Sequence, residues 1–491
     1  MNDLSYADYV RLRVQSNPCI WGLSEHLKRN PRGESRINLV DYPHDGSSQS
    51  TPEPLPVTED ECVKFASDVP SNTNRLLIVE NITPNLIVQI GRVLDVDPLF
   101  FADYVVTDFQ DIEKQPPPPS LAILPSLISK RGHFHLHYQK VLDLGGAEPF
   151  ANAAYGLKTD SNIPRNVRRL APLSGRQLAL ARASCSMLIK TIESSCICLI
   201  LVDRPITYVG EALGTKRERT YQAKAMYSGF EDFEPSKSFS SFANDKAHDA
   251  WDKTSMLDSI VHYFRAQPPP GFHTPCPRIT SIGYYPIRIV LSEWNLYIHL
   301  TSRFSKYYEY SLRDMSSRLH DNDIVDLQRW RRRCKQSRHK LALLADFINH
   351  WVKDEDDKEP WAFILKDVDY LRQQLQDYGQ SLEQMVTVAT SMVQLLDSRR
   401  SILEAVNVRR LTYIALVFVP LAWVSSLFSM SDGYSPGGDH FWVYFVTALP
   451  LLGLVLLLSA LPYERLLQVF RKGWGNLLCR GRLLTAQGAP V

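Results

Sequence analysis

Two long apolar runs without a charged residue lie near the C-terminal end of the chain, at residues 411–430 and 441–461. Each is close to the ~20 residues that a helix needs to cross the hydrocarbon core of a bilayer. A buried helix of a soluble protein can show the same pattern, but two such runs in tandem favour membrane spans. Pro420 and Pro450 fit this interpretation, since membrane helices tolerate proline where neighbouring groups satisfy the freed carbonyls. The pattern therefore predicts two transmembrane helices.

The charged residues around these runs predict their orientation. The connecting segment contains neither Lys nor Arg, and its only charged residues are Asp432 and Asp439. Basic residues instead precede the first run and follow the second (Arg399, Arg400, Arg409, Arg410, then Arg465, Arg471, Lys472, Arg480 and Arg482). Because basic flanks stay on the cytosolic side of a membrane, we expect a multi-pass protein with both termini cytosolic and the loop on the opposite side.

A helical repeat precedes the first span. Apolar residues recur there at alternating steps of four and three (Leu371, Leu375, Tyr378, Leu382, Met385, Ala389, Met392 and Leu396). A repeat of about 3.5 residues is typical of helices that pack side by side along a seam. The repeat breaks at Arg399 and resumes at Leu403 and Val406, so we expect one long helix that continues into the first span. The expected neighbour is the segment 321–351, through its apolar residues Leu327, Trp330, Leu341, Leu344 and Phe347.

The chain ahead of this helical region alternates between strand and helix patterns. Residues 76–79 form an apolar run typical of a buried strand, and residues 85–94 carry apolar residues at helical spacing. Alternation predicts a strand over residues 133–141, and residues 187–192 with 196–202 are typical of a hairpin. Because these elements show no regular βαβ repeat, we expect an α/β domain with a mixed sheet.

These patterns divide the chain into five parts. The N-terminal segment is weakly patterned, and its stretch 41–61 has the composition of a loosely held connector. The predicted parts are a weakly ordered N-terminal segment (1–72), a cytosolic α/β domain (73–292), a helical stalk (293–410), a two-helix transmembrane domain (411–462) with an external loop (431–440), and a basic cytosolic tail (463–491).

The balance of charged residues argues against nucleic-acid binding. With 55 basic and 53 acidic residues among 491, the net charge is +2, so no global field favours nucleic acid. The run RWRRRCKQSRHK (329–340) is then interpreted as a solvated helix face rather than a nucleic-acid site. The 8 cysteines are scattered without a C-x-x-C pair, which fits reduced thiols on the cytosolic side.

One predicted strand carries a candidate metal site. In HFHLHY, His133, His135 and His137 share a strand face, so three imidazoles could converge on zinc. Same-face side chains lie ~6.6 Å apart along a strand, however, and all three seldom reach one ion. No Cys, Asp or Glu pattern nearby completes a site. The alternative is a polar strand face, with the opposite face turned to the core (Phe134, Leu136 and Tyr138).

The architecture and several segments resemble the CorA family of divalent-cation channels, most closely its divergent fungal branch. NVRRLTYIALVFVPLAWVSSLFSM is similar to the family's first span, with Leu411-Thr412, the mid-helix Pro420-Leu421 and Met430 at matching positions. RLLIVENI, DVDPLFFADYV, HFHLHYQKVLDL and FWVYFVTALP are also similar to segments of that branch. The resemblance implies a CorA-like funnel, a homopentamer in the lipid bilayer that passes divalent cations. It implies neither an enzyme nor a resident cofactor, the cation, first of all Mg²⁺, being the cargo.

The chain departs from the family where the resemblance implies the outer mouth of the pore. Ser429-Met430-Ser431 stands where the family has Gly-Met-Asn, whose oxygens hold a hydrated ion. Because Mg²⁺ sheds water reluctantly, a ring of oxygen acceptors around its hydration shell suits it. Gly turns a carbonyl inward at no steric cost, and Asn reaches further than Ser. We therefore expect ion passage with weaker selectivity than the family's.

The same resemblance implies the residues of the site. The selectivity loop consists of Ser429, Met430, Ser431, Asp432 and Asp439. The pore-facing positions of the first span are Val408, Leu411, Ala415, Val419, Ala422 and Ser426. They recur every three or four residues, as one helix face must, although packing of helix against helix gives the same spacing. Rings of apolar side chains could gate by dewetting, and repeated aspartates would concentrate cations at the mouth.

The sequence thus predicts an integral membrane transporter that passes divalent cations, Mg²⁺ first, down their electrochemical gradient through an oligomeric pore. The replaced Gly and Asn leave a non-conducting scaffold or regulatory subunit as the alternative. The three histidines leave a membrane-tethered metalloenzyme as a third reading of the chain.

Overall fold

The computed structural model describes residues 4–44, 52–106, 132–211, 219–228, 238–240, 251–313, 321–353, 358–429 and 439–460. The chain divides into two compact units, Met1–Thr387 and Val388–Val491. The first unit contains a β-sheet with helices on both faces, and the second contains the apolar helical segments.

A mixed sheet of 11 strands forms the centre of the first unit. Its strands are β1 (Arg36–Pro43), β2 (Leu55–Val57), β3 (Thr73–Glu80), β4 (His133–Gly146), β5 (Gly156–Thr159), β6 (Asn166–Arg169), β7 (Arg176–Ile192), β8 (Ser195–Val202), β9 (Tyr208–Glu211), β10 (Thr220–Gln222) and β11 (Lys224–Ala225). Their order is β10-β9-β5-β6-β7-β8-β3-β1-β2, while β4 pairs with β7 and β11. Only β3 and β8 pair in parallel among these strands, and β7 and β8 form the predicted hairpin.

The central strands β3 and β8 are buried along their whole length. In β3, Leu76 and Ile78 belong to the core on one face of the sheet, whereas Leu77 and Val79 belong to the core on the other. Successive side chains of a strand point to opposite faces, so a strand covered on both sides reads as a continuous apolar run. This is why residues 76–79 were recognisable as a buried strand.

Five short helices cover one face of the sheet. They are α1 (Tyr6–Ser16), α2 (Trp21–His26), α3 (Glu59–Ser67), α4 (Pro84–Val93) and α5 (Pro98–Val105). The start of α4 follows from its sequence, because the Thr83 hydroxyl accepts a hydrogen bond from the Leu86 N–H and Pro84 occupies the first turn. Helix α5 begins in the same way, with Asp97 as the capping residue and Pro98 behind it.

The N-terminal segment differs from the expectation of weak order over residues 1–72. It contributes α1, α2, α3 and the sheet strands β1 and β2. Strand β1 pairs with β3 along its full length, and Asp41 forms a bidentate ion pair with Arg75 at 2.7 Å. The Tyr6 hydroxyl of α1 donates a hydrogen bond to the Val96 carbonyl. The weak pattern misled because partners far along the chain stabilise this segment; its stretch 45–51 lies outside the described residues.

The second face of the sheet is covered by four further helices. They are α6 (Met256–Ala266), α7 (Ile279–Arg313), α8 (Asp321–Val352) and the N-terminal part of α9 (Glu359–Phe428). The Phe134 ring of β4 stacks on Phe347 of α8, with ring centroids 3.6 Å apart. The first long helix begins at Ile279, so the helical region starts earlier than the predicted residue 293.

Helices α8 and α9 are neighbours, as the repeat predicted. Leu375 and Leu382 of α9 are buried in the same core as Leu327 and Trp330 of α8, and Arg331 forms an ion pair with Glu383. The first half of the predicted seam therefore packs within one chain. Its second half does not, because Met392 is half-buried and Leu396 and Leu403 are exposed.

The second unit contains the rest of α9 and α10 (Trp442–Ala460). The Phe428 ring near the end of α9 lies against Tyr444 of α10, with centroids 6.2 Å apart. Val424 of α9 and Ala448 of α10 are buried. The predicted architecture of a mixed-sheet domain, a long helix and two C-terminal apolar helices is thereby confirmed.

Candidate functional site

The candidate site is the uncharged part of α9, which begins at Leu411, together with the segment that connects it to α10. Within the described residues, α9 contains a stretch long and apolar enough to cross a membrane, and Trp442–Leu457 of α10 is a shorter apolar stretch. Arg409 lies two residues before this part, where its guanidinium donates to the Tyr413 hydroxyl at 3.0 Å. The positive charge thus ends where the apolar part of the helix begins.

The six predicted pore residues share one exposed side of α9. Leu411 is 68% exposed and Val419 is 64% exposed. The other four are exposed as well (Val408, Ala415, Ala422 and Ser426). Because they are three or four residues apart in a continuous helix, they form a single stripe along its axis.

The opposite side of the same helix is partly covered. Val424 is buried, and its neighbours on that side are half-buried (Leu416, Val417, Pro420, Leu421 and Phe428). Phe428 lies on this side and contacts Tyr444 of α10. A single chain therefore uses one side of α9 against its own second apolar helix and leaves the stripe of candidate pore residues open.

The predicted selectivity loop is described in part. Ser429 lies at the end of α9, where its N–H donates to the Ser425 carbonyl at 3.0 Å, so the helical hydrogen bonds extend to it. Asp439 is exposed in the turn that leads into α10. Met430, Ser431 and Asp432 lie outside the described residues.

A second exposed stripe precedes the uncharged part of α9. Val388, Leu395 and Ile402 follow one another at intervals of seven residues and are 44%, 63% and 62% exposed. Leu396, Leu403 and Val406 are exposed beside them. Such a spacing keeps apolar side chains on one side of a helix, which is the pattern of helices that associate.

The three candidate metal histidines lie on one face of β4, and Phe134, Leu136 and Tyr138 turn to the core on the other. His135 Nδ1 is 2.6 Å from the Ser186 hydroxyl, and His137 Nδ1 is 3.3 Å from the Ser184 hydroxyl. Burial lowers the pKa of His137 to about 3, with smaller contributions from nearby cationic side chains (Lys340, Arg165 and Arg182). The His137 ring is therefore neutral.

The structure places a carboxylate beside these histidines that the sequence pattern missed. Asp103 of α5 lies with its Oδ2 3.6 Å from His135 Nε2, and it is fully buried. Asp103 precedes His135 by more than thirty residues, so no local spacing links them. The one available signal was a charged residue inside the apolar helix PLFFADYV.

The helical part of the chain matches a known family model. Residues 297–465 match the family model of the CorA-like Mg²⁺ transporter protein, which confirms the predicted resemblance. The match begins inside α7 and extends past α10, so it contains the candidate pore segment. No curated protein sequence matches the chain.

Two solved structures are similar to most of the chain. The structure of the full-length CmaX protein is 14% identical, has a TM-score of 0.35, and the match covers 88% of this chain and 98% of that one. The complete structure of the CorA magnesium transporter from Methanocaldococcus jannaschii is 9% identical, has a TM-score of 0.38, and the match covers 87% of this chain and 97% of that one.

Proposed function

We propose that the chain assembles into a homo-oligomer in a lipid bilayer and passes divalent cations, Mg²⁺ first among them, down their electrochemical gradient. The observation that carries this proposal is the two-sided character of α9 within a CorA-like family match. One side is partly covered by the chain's own residues, and the opposite side holds an open stripe of six small, apolar or hydroxyl side chains.

Oligomerisation follows from the exposed stripes of α9. Val388, Leu395 and Ile402 precede the charge-free part of the helix, and exposed aliphatic side chains in such a regular row are costly in water. A second copy of the same helix offers the complementary row. We propose that the oligomer contains five copies of the chain, because the chain resembles the CorA family.

In such an oligomer, the stripe from Val408 to Ser426 surrounds a central path. Rings of Val408, Leu411 and Val419 then form apolar constrictions that gate ions by expelling water from the path. The six side chains of the stripe carry no charge. Cations are therefore attracted by Asp439 and Asp432 in the loop. Repeated around the mouth, these carboxylates raise the local concentration of cations.

The loop segment Ser429-Met430-Ser431 acts as the selectivity turn in this proposal. Its hydroxyl and carbonyl oxygens face the water shell of the ion and need not replace it, which suits an ion that sheds water slowly. Ser431 reaches less far than an Asn amide would, so discrimination between divalent ions is weaker. Both termini lie on the cytosolic side, and the loop lies on the other.

A second candidate function is a non-conducting membrane scaffold or regulatory subunit. It is favoured by the same three residues, because a chain without Gly and Asn at these positions lacks the backbone freedom and the acceptor that the family's motif supplies. The apolar stripe would then hold helices together without opening to ions.

Ion flux in liposomes tests the proposal. The purified chain should carry Mg²⁺ above the background of empty liposomes, and the double substitution Ser429→Gly with Ser431→Asn should sharpen Mg²⁺ over Ca²⁺ and Zn²⁺. The expected gain is ~1–2 kcal/mol, the net worth of one or two hydrogen bonds. Ser435→Asn, the same kind of change elsewhere in the loop, is the matched control and should leave selectivity unchanged.

Background flux in both versions would contradict transport and favour the scaffold. Robust flux with the same ion preference in both would contradict the role of this loop as the filter and leave transport itself standing.

A further inference from the structure

A cluster of two histidines and one carboxylate lies between α5 and β4 in the first unit. Asp103, His133 and His135 each offer one ligand atom, and the three atoms lie within 4.8 Å of one another. His133 and His135 are same-face neighbours on β4, and Asp103 comes from α5. The third histidine of the strand, His137, does not belong to this group.

The ligand atoms of the cluster are shielded from water. The Nε2 atoms of both histidines and both carboxylate oxygens of Asp103 are buried. The Phe100 ring forms an apolar wall beside them, with its centroid 5.6 Å from that of His133 and 5.4 Å from that of His135. The ligand atoms therefore lie in a partly apolar pocket that is shielded from water.

The distance between Asp103 and His135 suits two ligands of one ion. His135 Nε2 and Asp103 Oδ2 are 3.6 Å apart, longer than the ~2.7–2.9 Å of a charge-assisted hydrogen bond. Two donors that each lie ~2.0–2.1 Å from a tetrahedral Zn²⁺ are separated by roughly 3.3–3.4 Å. A small adjustment of the side chains therefore brings both atoms to a common ion.

The opposite nitrogen of His135 is held in the way that metal ligands require. Its Nδ1 lies 2.6 Å from the hydroxyl of Ser186, which is itself fully buried on the adjacent strand β7. When Nδ1–H donates to this hydroxyl, the lone pair of Nε2 points towards Asp103. Such a second hydrogen bond fixes the tautomer and the orientation of a ligating imidazole.

We propose that Asp103, His133 and His135 bind one divalent transition-metal ion, Zn²⁺ foremost. Imidazole nitrogens favour Zn²⁺ and its neighbours, whereas Mg²⁺ takes oxygen ligands in near-octahedral geometry. The site therefore does not take the cation that we propose as cargo, and it stands independently of the proposed transport. Three protein ligands leave a fourth position for water.

Bound Zn²⁺ would link α5 to β4, because its ligands come from both elements. A ligand that binds only the folded state raises the midpoint of unfolding in proportion to its occupancy. The site thus predicts a rise in thermal stability with zinc, separate from any effect on ion flux.

Metal binding to the full-length chain in detergent tests the site. The probe is Zn²⁺ titrated against a competing chelator, with bound zinc measured by mass spectrometry and Co²⁺ absorbance as a second readout. The wild-type chain should bind one ion with high affinity, give the visible bands of four-coordinate Co²⁺, and unfold at a higher temperature with Zn²⁺. His133→Gln, His135→Gln and Asp103→Asn should each weaken binding at least ~10-fold and abolish the thermal shift.

His137→Gln is the matched control, since it changes the same residue type on the same strand face outside the group. It should retain the zinc and the Co²⁺ bands. Should a buried variant fail to fold, His133→Gln carries the test, because the His133 side chain is partly exposed. A wild-type chain that takes up no high-affinity zinc, or folded variants that bind it as wild type does, would overturn the proposal.

Discussion

Leu411 is the residue at which the proposed path through α9 becomes free of charge. It follows Arg410 directly, is 68% exposed in the single chain, and lies on the open stripe with Val408 and Val419. In an oligomer, a Leu at this position repeats around the axis and forms an apolar ring that expels water.

We expect Leu411→Ser to raise basal ion flux several-fold in liposomes, because a hydroxyl ring keeps water in the constriction. Leu427→Ser is the matched control: Leu427 is aliphatic, lies in the same uncharged part of α9 and is 48% exposed, but stands on the other side of the helix. It should leave flux near the wild-type value. Equal flux from the wild-type chain and Leu411→Ser, with both assembled, would mean that Leu411 contacts a neighbouring helix and not a water path.

Helix α9 behaves as two different elements along its 70 residues. In its first part the apolar repeat packs within the chain, where Leu375 and Leu382 are buried against α8. From Val388 onwards the row of Val388, Leu395 and Ile402 is exposed. Substitutions in the first part should therefore lower folding stability, whereas substitutions in the second part should weaken association between copies of the chain.

We expect the double substitution Leu395→Asp with Ile402→Asp to shift the detergent-solubilised protein to smaller species, since it places charges in the exposed row. The native mass can be measured by light scattering, and the melting temperature of the first unit should change little. Gln394→Asp, an exposed polar position on the same turn, is the matched control and should keep the mass of the wild type.

Leu382→Ala provides the contrast within this experiment. It removes a fully packed side chain and should cost ~2–5 kcal/mol of folding stability. An unchanged native mass after the double substitution at Leu395 and Ile402 would mean that copies of the chain associate elsewhere or not at all.

The whole molecule has a topology that labelling can test. The segment between the two apolar helices contains neither Lys nor Arg, whereas both of its flanks are basic, so this segment should face away from the cytosol. The native Cys276 is exposed in the first unit, and we expect it on the opposite side of the membrane.

We expect Ser435→Cys to react with a membrane-impermeant maleimide added from outside, and Cys276 to react only when the reagent has access to the cytosolic side. The measurement is the labelled fraction of each thiol in sealed vesicles and after detergent. Labelling of both thiols from the same side would contradict the topology.

Several parts of this protein were determined by sequence alone, because their physics is local. Helix α4 could be predicted from helical spacing, and the structure adds the Thr83 and Pro84 signals at its start. Runs of apolar residues bounded by turn residues predicted strand β3 and the hairpin of β7 and β8. The uncharged part of α9 and its likeness to the CorA family were also readable, since length and absence of charge need no partner.

The tertiary structure decided what depends on partners distant in the chain. Strand β1 has an unremarkable sequence and is stable because β3 pairs with it, so its own residues did not predict its order. Leu382 and Leu396 belong to the same repeat, yet one is buried and the other exposed, because α8 covers only the first. Asp103 lies beside His133 and His135 only because α5 packs against β4. Spacing along a chain reports which residues share a face, but what covers that face is decided by folding.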